Sequence, residues 1–135
     1  MALQYSVAVR NSQLDAVEST IGTSAIMEIR SGAAPADCSE ADSGTVLATL
    51  NLPSDWMAAA SSGSKALAGT WEDSSADATG TAAHFRIKDS GGSTCHIQGT
   101  VTATGGGGDL TLDNTSIASG QAITISSFTL NAANS

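Results

Sequence analysis

The side chains best suited to chemistry in this chain are two histidines and two cysteines. Cys95 immediately precedes His96, an order that invites a thiolate–imidazole pair. Neighbours on a strand point to opposite faces, so these two cannot meet if the segment is extended. His84 and His96 share an alternating polar face with Arg86 and Lys88, a setting for a metal ion or proton transfer. No carboxylate or thiol alternates onto that face, and Arg86 and Lys88 repel a cation there. The expectation for His84, Arg86 and His96 is a solvated or interface-facing polar strip. Cys38 and Cys95 form no CxxC, which excludes zinc-ribbon and thioredoxin-like chemistry. Two buried thiols and one disulfide both remain open. A disulfide would contribute about 4 kcal/mol in the chain-entropy picture. Cys95 reads as inward on a central strand, and Cys38, its sole possible partner, sits in a loop long enough to reach it.

Other motifs carry less. Gly105-Gly106-Gly107-Gly108-Asp109 is followed by no Lys-Ser/Thr, so it is not a phosphate loop. A single copy with Asp out of phase is not a calcium-binding repeat, and a plain hairpin turn is expected. Asp73, Asp77, Asp109 and Asp113 could meet at one loop end around Ca²⁺, but solvated loop positions are the simpler expectation. There is no GxSxG elbow and no marked carboxylate pair. The expectation is therefore no catalytic residue, no cofactor and no metal.

The elements that would position these residues follow from composition and period. The 135 residues carry five Lys+Arg against thirteen Asp+Glu, a formal charge of -8. Such a chain is a poor nucleic-acid ligand, because phosphate contacts need cations. No apolar run is long enough to span a bilayer, and no charged-then-apolar leader opens the chain, so export by that route is not expected. Aromatics are 4%, so the core should be thin and built from Ile, Leu, Val and Ala. One domain over residues 1–135 is expected, with a helix at about 6–21 and a β-sandwich at about 24–131.

Val7, Leu14, Val17 and Ile21, with Leu3 and Arg10, make a helical stripe; Ser6 is the N-cap and Gly22 the C-cap. Asn11, Ser12, Asp15, Glu18 and Ser19 fall on the other face, making the helix amphipathic. It should pack on its own sheet, or else dock on another subunit. From Ala25 the period becomes two, giving strands at Ala25–Arg30 and Thr45–Leu52 around a polar loop. One helical turn is expected through Trp56–Ala60 and a short edge strand at Ala66–Trp71, then a polar loop from Glu72 to Thr81. Ala83, Phe85 and Ile87 against Cys95, Ile97 and Gly99 predict a hairpin with Asp89–Ser93 as its loop. Ile87 would oppose Cys95, Phe85 would oppose Ile97, and Arg86 would oppose His96. Leu110 and Leu112 mark a further strand, and a phase slip at Ser126-Ser127 predicts a bulge in the last one. The fold class is all-β: an antiparallel sandwich or jelly-roll-like domain with one N-terminal helix.

The stretches Ser6–Ala16, Gly44–Leu50 and Ser75–Ala82, with Phe85-Arg86-Ile87 followed by Asp89-Ser90, resemble small proteins encoded in the structural gene clusters of tailed bacteriophages and prophages. The resemblance covers most of the chain and has no catalytic motif, so it transfers no functional residue. It implies a virion component, found in the virion and in the host cytoplasm during assembly. The first expectation is a capsid cement or decoration protein that binds the assembled shell as a homo-oligomer, without nucleic acid or membrane. A tail-tip, collar or fibre accessory protein is the alternative, and a host-surface carbohydrate-binding module using Trp56 and Trp71 is a further one. The residues expected at an interface are Val7, Leu14, Val17, His84, Arg86 and His96.

Overall fold

The computed structural model describes residues 3–132. It is a mostly β domain with one N-terminal helix, α1 (Val7–Ile21). Ser6 caps α1 through its hydroxyl, which accepts from the Val9 amide at 3.2 Å, and Gly22 closes it at φ 93° with its N–H on the Glu18 carbonyl. Leu14 and Ile21 are buried and Val17 is partly so, but Val7 is 47% and Val9 43% exposed. The division into an apolar and a solvent face does not hold. Asn11, Asp15 and Glu18 point into the fold and bind the segment 57–65. The helix therefore packs on its own chain through a mixed apolar and polar face.

The strands are β1 (Ile26–Arg30), β2 (Val46–Asn51), β3 (Ser64–Ala66), β4 (Trp71–Asp73), β5 (Gly80–Thr81), β6 (His84–Lys88), β7 (Cys95–Ala103), β8 (Leu110–Leu112), β9 (Ser116–Ile117), β10 (Ile123–Ile125) and β11 (Thr129–Asn131). Five form one open sheet in the order β2-β1-β6-β7-β8, and the rest pair as β10-β4, β11-β3 and β5-β9. The sheet is not wholly antiparallel, since β8 runs parallel to β7. The glycine run is thus not a hairpin turn. It doubles the chain back so that Leu110 returns beside Val101, over far fewer residues than a usual parallel crossover. Gly107 takes φ 81°, and a Cβ on Gly108 would sit 2.9 Å from the Thr102 backbone nitrogen, so side chains are excluded by both conformation and contact.

The β6–β7 hairpin forms, but in a different register. Ile87 opposes Ile97, Phe85 opposes Gly99, Arg86 opposes Gln98 and His84 opposes Thr100. The Asp89 carboxylate accepts from the amides of Ser93 and Thr94, and the Asp89 N–H donates to the Thr94 carbonyl. Pairing restarts at Lys88–Cys95, and the register then slips between Ile87 and Lys88, leaving His96 as the extra residue. Gly99 gives the Phe85 ring room, because a Cβ there would lie 2.8 Å from it.

Further corrections concern short elements. No helical turn follows Asp55; Met57 bridges Leu67 instead. The strand expected at Ala66–Trp71 is two, β3 and β4, with different partners. The Ser126-Ser127 slip is likewise a switch: β10 pairs with β4 and β11 with β3. The core is also less aliphatic than expected. Trp56, Trp71, Phe128 and Phe85 form a continuous column with centroid spacings of 5.9, 5.5 and 5.6 Å. Their scarcity is offset by placement, since large rings bury the most apolar area per residue.

Gly108→Ala should cost about 1–3 kcal/mol, because the Thr102 backbone as well as its side chain meets the new methyl. Gly91→Ala, where the nearest atoms lie at 3.8 Å, should change stability by no more than about 0.5 kcal/mol. Urea denaturation of both variants measures the difference.

Candidate functional site

The polar face of β6 is covered, not solvated. Phe85 and Ile87 face the core, while His84, Arg86 and Lys88 lie under the segment 31–45 and are 1%, 2% and 4% exposed. This strap has no regular structure, so its polar backbone needs partners. The strip supplies them. Arg86 donates to the carbonyl of Asp37, Gln98 Nε2 to that of Pro35, Arg30 to that of Ser43, and His84 Nδ1 to that of Gly32. The other ring nitrogen of His84, Nε2, is buried without a hydrogen-bond partner among the described residues.

Two carboxylates bind three cations in the middle of the strip. Asp42, carried by the strap, accepts from Arg86 Nη1 at 2.7 Å, Lys88 Nζ at 2.7 Å and Arg30 Nη2 at 3.1 Å. Glu28 on β1 stands opposite Arg86 in the ladder and pairs with Arg30 at 2.8 Å and Lys88 at 3.0 Å. Burial works to raise the Asp42 carboxyl, but hydrogen bonds from Lys88 and Arg86 and the charge of Arg30 outweigh it and hold it below the usual carboxylate range.

Cys38 and Cys95 are joined as a disulfide with a Cα–Cα distance of 5.2 Å. Cys95 is not inward as expected. The slip at His96 turns it onto the Lys88 side of the sheet, where the strap lies. A cleft of about 410 Å³ remains between residues 38–42 and 93–95, with Arg86 and Lys88 at its base. Most donors at that base are already committed to Asp42, Glu28, Gln98 and strap carbonyls. The arrangement is a latch that holds a loop on a sheet.

The other candidates are dispersed. His96 leaves the strip and lies beside Gln13, Val17 and Ile21 of α1. Leu14, His84 and Arg86 are buried and cannot form a docking surface, whereas Val7 is exposed. Asp73 and Asp77 accept from the Thr49 amide and hydroxyl, and Asp109 accepts from Thr100. Among the described residues no three metal-ligating side chains converge. Trp56 and Trp71 are fully buried, their indole N–H groups on backbone carbonyls. Sequence reasoning missed Glu28, Arg30, Asp42 and Gln98. The opposite charges at 28 and 86 were a signal, usable only once β1 is known to neighbour β6. No family model matches the chain, and no curated protein or solved structure matches it either.

Asp42 has a lower pKa in the native state than unfolded, so it stabilises the fold above about pH 4, the unfolded value. That contribution is lost as pH falls through the depressed native value. The urea midpoint should therefore fall with acidification across this window, and fall less for Asp42→Asn. At neutral pH Asp42→Asn should cost about 3 kcal/mol, since three buried cations lose a carboxylate. A second check concerns the disulfide. Native protein should take up no alkylating agent without reductant and two equivalents after reduction, by mass spectrometry. The Cys38→Ser, Cys95→Ser double variant should lose about 4 kcal/mol, as expected for closing so long a loop.

Proposed function

We propose that this chain is a non-catalytic structural protein of a tailed-bacteriophage virion, a cement or decoration protein that binds the assembled shell as a homo-oligomer. The observation that carries the binding part is how the charges are divided. Four of the five cations, Arg30, Lys65, Arg86 and Lys88, are buried in internal ion pairs. Of thirteen carboxylates, nine make no ion pair among the described residues. The surface therefore presents negative charge with almost no positive charge. That suits a basic or neutral protein surface and opposes phosphate backbones. The latched strap and docked helix suit a rigid accessory, and the sequence resemblance supports the virion setting. In this reading the five-stranded sheet and the three small ladders are the two layers of a sandwich around the aromatic column. The carbohydrate-binding alternative loses its two exposed rings, since Trp56 and Trp71 lie in the core.

Purified protein should bind expanded shells that lack it at a fixed ratio to the shell subunits and raise their resistance to heat. Added salt should weaken that binding by screening. Co-purification with isolated tails, and none with shells, would move the assignment to a tail accessory protein. Binding to neither, together with hydrolysis of a host polysaccharide or peptide, would overturn the structural reading.

A further inference from the structure

We infer that the gap between β7 and β11 accepts an extended, cationic segment of another polypeptide as an added strand. This inference does not depend on the virion assignment. The gap is a cleft of about 360 Å³ bounded by Ile97, Gln98 and Asp109 on one side and Thr129–Asn131 on the other. Its floor is the edge-to-face pair of Phe85 and Phe128.

Both rims are strand edges. Val101 donates to the Ala83 carbonyl beside the β6 ladder, so Gly99 and Ile97, in the same alternation, also face β6. The backbone groups of Gln98 and Thr100 then point the other way. The Thr100 amide is taken by the Asp109 carboxylate, whereas the β8 pairing does not reach Gln98. The Gln98 side chain lies on the opposite face, bound to Arg86 and Pro35, so it is the Gln98 backbone that borders the cleft. On the far rim Leu67 donates to the Phe128 carbonyl and Ala132 to that of Gly63. Phe128, Leu130 and Ala132 therefore face β3, and the backbone groups of Thr129 and Asn131 face the cleft. β8 covers β7 only from Val101 onward, which is why the seam is open at Gln98.

Strand-edge backbone on both rims, Gln98 on one and Thr129 and Asn131 on the other, over an apolar floor suits a strand, because extended backbone presents hydrogen-bonding groups to both sides. Charge selects which strand. Among the described residues Asp109 is the one charged residue lining the cleft, its Oδ2 is held by Thr100, and the whole chain carries -8. The incoming segment should alternate apolar residues, set on the Phe85–Phe128 floor, with Lys or Arg.

The probe is a blocked heptapeptide of alternating Lys and Val, titrated into the intact isotope-labelled protein. Binding should shift the amide resonances of Gln98, Thr129 and Asn131 and slow their hydrogen exchange. The same peptide with alternate amides N-methylated keeps charge and side chains but loses strand pairing. It should bind about tenfold or more weakly, the worth of two or three lost hydrogen bonds. A Glu–Val peptide should not bind. Equal binding of the methylated and unmethylated peptides, shifts that map elsewhere on the acidic surface, or no binding at millimolar peptide would each overturn the inference.

Discussion

Burying a cation without a partner is so costly that each one dictates where a carboxylate must be. This chain has five cations and buries four of them. Lys65 in β3 takes Asp15 and Glu18 from the helix, at 2.8 and 3.0 Å. Arg30, Arg86 and Lys88 on the sheet take Asp42 from the strap and Glu28 from β1. Two pieces outside the sheets, α1 and the segment 31–45, are thus fixed by the same device. Remove either set of carboxylates and a buried charge is stranded while an irregular or marginal element comes loose.

The ion pairs are more important for specificity than for gross stability. Apolar replacements of buried pairs often hold a fold as well or better. Here the pairs choose positions. β3 is three residues long and offers little to fix the rotation of a helix. Asn11, Asp15 and Glu18 do so by reaching the amides of Gly63, Ala60 and Met57. Lys65 is held protonated to higher pH than an ordinary lysine: burial opposes its charge, but the hydrogen bonds it donates to Asp15 and Glu18 prevail. The strap is held at one point by covalent chemistry and at several others by charge and hydrogen bonds. The disulfide limits how far it can stray, and Asp42 sets where it rests.

Spending cations inside the fold also shapes the outside. A surface left with carboxylates and little else repels polyanions at a distance. Association with a basic or neutral protein surface remains open to it. The open sheet adds a second constraint, since unpaired strand edges must be covered, charged or used. Near β7 the edge is partly covered, by Asp109 on the Thr100 amide and by β8 from Val101 onward.

Local signals were legible where a single element decides the outcome. The caps at Ser6 and Gly22, the change of period at Gly22, the strand around Val46–Asn51 and the β6–β7 pairing are written in neighbouring residues. They depend on backbone conformation and on alternation along one strand. The register of that hairpin was not legible, because one extra residue at His96 follows from how Asp89 closes the turn. Nor was the parallel course of β8, which depends on glycines folding back onto Thr102. The polar strip read as solvated for a related reason. Alternation tells which residues share a face, but not what covers it. Only the tertiary structure brings Glu28 beside Arg86 and lays Asp42 over both, because ion pairs between distant segments leave no periodic trace in the chain.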